Sequence, residues 1–396
     1  MRILITGMDG YLGWSLAQHL SSRGHEIGGI DAFLRRRWVD EMQSWSAIPI
    51  VSMKERLAAL EERCGAAPQF WDCDLTHYDA VAEIVRTFEP DAVVHLGECP
   101  SAPYSMIDVH HATFVQWNNI TSTFNLMFAL RDYRPDAHFV KLGTMGEYGT
   151  PNLPIPEGFF EVEYRGHKDT LPFPRQPGSF YHLSKVHGSH NLMLACRIWE
   201  QRVTDVMQGV VYGLSIDGMD ADERLFTRLD FDGAFGTVIN RFCCSAVIGA
   251  PVTLFGLGEQ TRGFLPLRDS MQCLSLILDN PPRRGEYRVL NQFQEVYSIK
   301  HLADVVTKAA GSLGIRVTVE SLENPRVELE RHYYQPDHQR LFDLGYRPTG
   351  NIMAEVKTML TQLSKYRDRI EAKREALNAT IRWNPFARTQ ESAAAD

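Results

Sequence analysis

The sequence predicts an α/β fold: a doubly wound parallel sheet with a smaller C-terminal substrate-binding domain. Three features carry that expectation. A short apolar run, Ile3 to Ile5, passes through the closely spaced glycines Gly7, Gly10 and Gly13 into a helical pattern from Trp14 to Leu20. Short apolar runs then alternate with helical periods as far as Leu142, which is the rhythm of β-α-β units. Polar, turn-rich stretches follow the runs, and open parallel sheets bind ligands beyond the carboxyl ends of their strands.

The first turn, Gly7-Met8-Asp9-Gly10-Tyr11-Leu12-Gly13, lets the backbone bend sharply and approach a pyrophosphate seated on the amides and positive dipole of the next helix. Three glycines alone are a weak signal. Glu26-Ile27-Gly28-Gly29-Ile30-Asp31 adds a second strand ending in an acid about twenty residues on, placed to accept the ribose hydroxyls of a dinucleotide. Asp31 would repel a 2′-phosphate, so NAD is expected rather than NADP. The run Arg35-Arg36-Arg37 is either a solvated face or a reach toward a phosphate.

The segment from Trp38 to Gly65 reads as an insertion, helical by period over Glu55 to Glu62. Gln69 to Leu75 reads as a third strand and its exit, Tyr78 to Phe88 as a helix, and Ala92 to Leu96 as a fourth strand. A helix near Phe114 to Tyr133 and a fifth strand, His138 to Leu142, follow. On this frame the cofactor is expected against the glycine loop, with Asp9, Tyr11 and Leu12, and against Asp31, Arg35 and Arg36. Asp74 and Leu75 at the third strand exit, Leu96 and Gly97 at the fourth, Asn118 in the next helix, and Tyr181 and Lys185 further on complete the set.

Composition excludes other classes. The 396 residues are 44% hydrophobic and 23% charged, enough for one large or two unequal cores. A formal net charge of −8 and the lack of a basic stripe speak against a nucleic-acid partner. The seven cysteines show no Cys-x-x-Cys spacing and read as reduced thiols. No run approaches the ~18 apolar residues of a membrane span, and Met1 leads straight into the first strand, so a cytoplasmic protein without a metal site is expected.

The chemistry centres on Phe180-Tyr181-His182-Leu183-Ser184-Lys185. On a helix, Tyr181 and Lys185 stand side by side, and an adjacent ammonium favours the phenolate. Bringing a tyrosine from its ordinary pKa of about 10 to near neutrality takes roughly 4 kcal/mol. Tyr-x-x-x-Lys occurs by chance in many helices, but here it follows Thr144, the residue at the fifth strand exit. A hydroxyl, a phenol and an ammonium beside a nicotinamide can remove a proton and a hydride from a secondary alcohol.

Gly7-x-x-Gly10-x-x-Gly13, Asp31, Thr144, Tyr181 and Lys185 together resemble the extended short-chain dehydrogenase/reductase family, whose members modify nucleotide sugars. Within it, the runs Ser101 to Asp108, Lys141 to Thr150, Phe180 to His187 and Gln208 to Gly213 are similar to the UDP-sulfoquinovose synthase group, as are Asn240 to Cys243, Gln260 to Gly263 and Asn324 to Glu328. The resemblance implies NAD as cofactor, oxidation of the sugar at C4, loss of the C6 hydroxyl through an acidic C5, addition of sulfite at C6 and return of the hydride. It also implies a homodimer. By the same resemblance Tyr181 is the C4 base, Lys185 its activator and Thr144 the partner of O4, while His182, Met145 and Glu147 line the C5–C6 side. Ser101, Tyr104, Thr144, Gln208, Arg228, Asn240, Arg262 and Arg326 would hold the nucleotide sugar, arginine forks being suited to two phosphates.

Two departures matter. The 4,6-dehydratases carry Asp-Glu after the threonine, where this chain has Met145-Gly146. The sulfoquinovose enzymes carry Gln-Arg after the Gly-Glu of the fourth exit, where this chain has Cys99-Pro100, without a planar cation for an anion. A sulfite-independent epimerase or an oxidation–elimination enzyme on another nucleotide sugar therefore stays open, as does a non-catalytic NAD-binding module. The expected boundaries are a cofactor domain over 1–212, a substrate domain over 213–365 interleaved with the last strands of the sheet, and a charged tail over 366–396. Met271 to Leu278 is expected as a helix closing over the site, and the tail from Lys365 as a fraying helix.

Overall fold

A computed structural model describes residues 1–214, 216, 222–329 and 331–384. The chain opens with β1 (Arg2–Thr6), α1 (Tyr11–Ser21) and β2 (Glu26–Asp31), then places two helices in the insertion, α2 (Leu34–Glu41) and α3 (Met53–Cys64). Ser52 and Glu55 close a capping box at the start of α3, and Gly65 ends it in the left-handed conformation. β3 (Gln69–Asp72), α4 (Tyr78–Phe88), β4 (Ala92–His95), α5 (Val109–Tyr133) and β5 (His138–Leu142) continue the alternation. α5 starts before the expected Phe114 because Asp108 caps it, its carboxylate accepting the His111 N–H at 2.9 Å.

The proline-rich excursion holds an antiparallel hairpin, β6 (Phe159–Tyr164) and β7 (His167–Pro172), before α6 (Phe180–Trp199), β8 (Arg202–Gln208) and β9 (Val210–Tyr212). The remainder comprises α7 (Val238–Ile248), β10 (Val252–Phe255), β11 (Thr261–Pro266), α8 (Leu267–Asp279), β12 (Tyr287–Gln292), β13 (Glu295–Ser298), α9 (Ile299–Ser312), β14 (Val319–Leu322), α10 (Gln339–Asp343), α11 (Ile352–Ser364) and α12 (Arg367–Glu371).

Seven parallel strands form the main sheet in the order β12-β8-β5-β4-β1-β2-β3. Alternation along a strand sends neighbours to opposite faces, and β1 shows the result. Ile3 and Ile5 join Trp14, Leu16 and Leu20 of α1 with Met271, Leu274 and Ile277 of α8, while Leu4 joins Val81, Val85 and Phe88 of α4 with Leu126 and Leu130 of α5. Both faces are covered, which is why the strands read as continuous apolar runs. A second core joins α7, α9 and α11, and β9, β11 and β13 form a small sheet beside it.

Two expectations change. α8 does not close over the site; it packs on the sheet beside α1 because Met271, Leu274, Ile277 and Leu278 fill that core. The segment after Lys365 is not a fraying helix through 384. Ile370 of α12 is buried, the Ala376 carbonyl accepts the Gly233 N–H at 2.9 Å, and the Trp383 N–H reaches the Pro325 carbonyl at 2.9 Å. Residues 385–396 of the expected tail lie outside the described residues. Among the described residues no helix is long and apolar enough to cross a membrane.

Candidate active site

The carboxyl ends of β1, β2, β4 and β5 open onto one cavity of about 330 Å³. Its cofactor side follows from the glycine turn. Gly7 sits at φ +73°, where a Cβ would come within 2.7 Å of the Leu96 carbonyl oxygen, and a Cβ on Gly13 would lie 2.0 Å from the Gly7 carbonyl oxygen. Only a bare backbone makes this cradle, and the residues fit a dinucleotide. Asp31 lines the same cavity and accepts the N–H groups of Asp9 at 2.8 Å and Phe33 at 2.7 Å. Burial, and then the Asp9 carboxylate, push Asp31 up to about 6.

Gly10, Tyr11, Leu12, Arg35, Asp74, Leu75, Leu96, Gly97 and Asn118 also line the cavity, as the sequence implied. Asp9 and Arg36 do not. Asp9 is buried and takes ion pairs from Arg36 at 2.7 Å and Arg56 at 2.8 Å, so the pair fixes the glycine loop from behind.

Thr144, Tyr181 and Lys185 meet at the cavity wall. Tyr181 stands in the first turn of α6, where Ser105 Oγ accepts its N–H at 3.0 Å and the Ser179 cap accepts that of His182 at 3.2 Å. Lys185 does not act on the tyrosine alone: its ammonium contacts Glu98 Oε2 and donates to the Leu142 carbonyl at 2.6 Å, 5.9 Å from the Tyr181 ring centre. The Tyr181 phenol is pushed above its ordinary range, by burial and then by the Glu98 carboxylate, with Lys141 pulling the other way.

Several assigned residues lie elsewhere. Glu147 is fully buried, paired with Arg175, with Lys141 at 3.3 Å, and with the Ser189 hydroxyl donating at 2.8 Å, so it braces the fifth strand exit. Met145 packs with Tyr148, Ile155, Phe173 and Met207 in a side cluster. His182 lies against Gly146, where a Cβ would fall 2.4 Å from its Nε2. Burial, then Arg262 and Arg326, push its imidazole down to about 3. Neither arginine lines the cavity: Arg262 pairs with Glu328 at 2.7 Å, and Arg326 lies over the Trp383 ring. Ser101 Oγ donates to the Ala234 carbonyl at 2.6 Å and Tyr104 donates to Glu41 at 2.7 Å, so both hold the fourth exit and do not line the cavity. Gln208, Arg228 and Asn240 do line it.

Sequence reasoning missed Glu98, Trp38, Asp230 and Phe235, which line the cavity. Asp230 receives Arg228 at 2.9 Å and Arg35 at 2.8 Å; burial alone would raise its carboxyl, and the two guanidiniums hold it below its ordinary range. Cys99 is buried with its thiol pushed up to about 12 by burial, its backbone N–H donating to Asn119 at 2.7 Å, an inert packed group. No group of three or more possible metal ligands occurs among the described residues.

Residues 3–291 match the family described as NAD dependent epimerase/dehydratase. The chain is 45% identical to UDP-sulfoquinovose synthase of Sulfolobus acidocaldarius, covering 97% of this chain and 98% of that protein. It is 44% identical to the chloroplastic UDP-sulfoquinovose synthase of Spinacia oleracea, covering 94% of this chain and 77% of that protein. Among solved structures, UDP-glucuronic acid 4-epimerase from Bacillus cereus, in complex with UDP-glucuronic acid and NAD, superposes with a TM-score of 0.69 at 20% identity over 92% of this chain and 99% of that one, which supports the fold. The glycine cradle, Asp31 and the Thr144, Tyr181 and Lys185 wall thus sit in a chain that belongs to the NAD-dependent epimerase/dehydratase family and resembles the UDP-sulfoquinovose synthases.

Proposed function

We propose that the chain converts a UDP-sugar and sulfite into a C6 sulfonate, the reaction of a UDP-sulfoquinovose synthase. The observation that carries this reading is that Thr144, Tyr181 and Lys185 open onto the same cavity as the glycine cradle and Asp31, with Gln208, Arg228 and Asn240 on the same lining for the nucleotide sugar. When bound, NAD supplies the acceptor and later the donor of a hydride. Tyr181 takes the proton of the C4 hydroxyl, and Thr144 holds O4 by a hydrogen bond. The 4-keto sugar loses its C5 proton and its C6 hydroxyl as water; bisulfite adds at C6 and C5 regains a proton, so the net change is one bisulfite gained and one water lost.

The seven cysteines are all free, which supports a reducing, cytoplasm-like compartment. A homodimer through α5 and α6 is part of the same reading, with Trp117, Leu194 and Ile198 exposed on those helices. Pro100, uncharged on the cavity lining, favours a second reading in which the same C4 oxidation proceeds without sulfite, as an epimerase or an oxidation–elimination enzyme. Incubation with UDP-glucose and sulfite, followed by mass spectrometry, separates the two. A product heavier by SO2, a sulfonate in place of the C6 hydroxyl, is expected; its absence alongside a working control enzyme overturns the first reading, and an epimerised or dehydrated nucleotide sugar without that product supports the second.

A further inference from the structure

Glu98 stands between the two groups that the chemistry needs together. The backbone N–H of Glu98 donates to the Leu96 carbonyl at 2.9 Å, and the Leu96 and Gly97 amides both donate to Thr6 Oγ1 at 3.1 Å, so the pairing of β1 with β4 fixes where this residue points. Its Oε2 contacts the Lys185 ammonium, and the two side chains are 1% and 5% exposed. Its Oε1 is buried and has no hydrogen-bond partner, although the residue lines the cavity.

We propose that Glu98 is a positioning residue that, by holding and balancing Lys185, governs how readily Tyr181 gives up its proton. The inference rests on Tyr181 being the base of the reaction proposed above. A lone ammonium near a buried phenol stabilises the phenolate strongly, whereas a contact ion pair presents nearly no net charge to it. Other charged groups also act on Tyr181, Lys141 favouring the phenolate and Glu147 opposing it. From its own helix, His182 is kept neutral by burial; from the β4 exit, Cys99 is a neutral thiol; Lys141 of β5 is paired with Glu147 and Asp205. Glu98 is the charged group that acts most strongly on the phenol, and Lys185, its contact partner, stands 5.9 Å from the Tyr181 ring centre.

The test reads the phenol directly and needs no sugar substrate. The NAD-loaded enzyme is labelled with 3-fluorotyrosine, and the Tyr181 resonance is identified by its loss in Tyr181→Phe. The expected result is that Glu98→Gln lowers the midpoint of this resonance by at least one pH unit, a tenfold gain in phenolate at a given pH, and that Glu98→Gln with Lys185→Met restores the wild-type midpoint. An unchanged midpoint in Glu98→Gln overturns the proposal. Should that variant fail to fold with a lone buried ammonium, the double variant is compared with Lys185→Met, whose unbalanced carboxylate should raise the midpoint; equal midpoints overturn the proposal. Failure of the sulfite reaction appears separately, as a missing sulfonate product with these titrations intact.

Discussion

Replacing Asp31 by asparagine should strengthen the empty fold and weaken cofactor binding at once. Each Asp31 oxygen already accepts one backbone N–H, from Asp9 at 2.8 Å and Phe33 at 2.7 Å, and keeps lone pairs for two hydroxyl donors. Its carboxyl sits at about 6 against an ordinary 3.8, raised by burial and then by Asp9. A raised carboxyl binds its proton more tightly in the fold than in the unfolded chain. The ionised form therefore costs stability above about pH 6, and the cost fades as the pH falls to the ordinary value. At about 1.4 kcal/mol per pH unit the cost near neutrality is ~3 kcal/mol. Asparagine keeps one of the two N–H acceptors and loses the other, at ~1 kcal/mol. Asp31→Asn should thus stabilise the NAD-free protein by ~2 kcal/mol at neutral pH and destabilise it by ~1 kcal/mol near pH 4. Binding moves the other way: a charged acceptor bond lost to a ribose hydroxyl is worth ~1.5–3 kcal/mol, a tenfold to hundredfold weaker NAD complex. Wild-type affinity should climb as the pH rises through 6, and the variant's should stay level. Calorimetric titration with NAD and denaturant unfolding of the NAD-free protein measure both sides. A variant that binds NAD as tightly as the wild type, or unfolds more easily at neutral pH, refutes the reasoning.

Other expectations follow from the same geometry. Tyr181→Phe should abolish reduction of NAD at 340 nm while leaving NAD affinity within a factor of a few, and undiminished turnover would remove Tyr181 from the mechanism. Gly13→Ala forces a Cβ to within 2.0 Å of the Gly7 carbonyl oxygen, so NAD binding should fall at least tenfold by calorimetry; an unchanged Kd would mean the loop is not the cradle. Glu147→Gln leaves the buried Lys141 and Arg175 short of a carboxylate and should cost ~3–5 kcal/mol in denaturant unfolding, with the folded fraction still binding NAD. A stable but inactive Glu147→Gln would return that residue to the reacting groups.

The first half of the sheet was legible because its strands are covered on both faces, which leaves continuous apolar runs in the chain, and because the glycine turn and Asp31 keep a fixed spacing. The hairpin of β6 and β7 was not. Its residues, such as Glu161, Glu163, Lys168 and Asp169, are mostly exposed on both faces, so no period of two marks them. The site was legible where a position depends on local spacing, as for Tyr181 and Lys185, which share the cavity wall. It failed where a role depends on distant partners. Glu147 looks like an acid beside a reacting threonine, yet Arg175, from the excursion, turns it inward. Glu98 looks like one more polar residue in a turn, and only the meeting of β4 with α6 gives it a lysine. His182, beside the two informative residues, is claimed by Ser179, Gly146 and burial.

Gly233 also bears on the order in which the molecule is completed. A Cβ there would lie 2.7 Å from the Asn378 carbonyl oxygen, so the chain's late residues fasten the loop that brings Arg228, Asp230 and Phe235 to the cavity. Every residue assigned to the cofactor and to proton removal lies at or before Lys185, whereas the wall opposite, already held by Arg35, Ser46 and Ser101, takes a further tie from residues near 376 to 379. On a ribosome that makes the N-terminal part first, the nascent chain acquires its cofactor contacts before the last of the ties on its substrate wall can form.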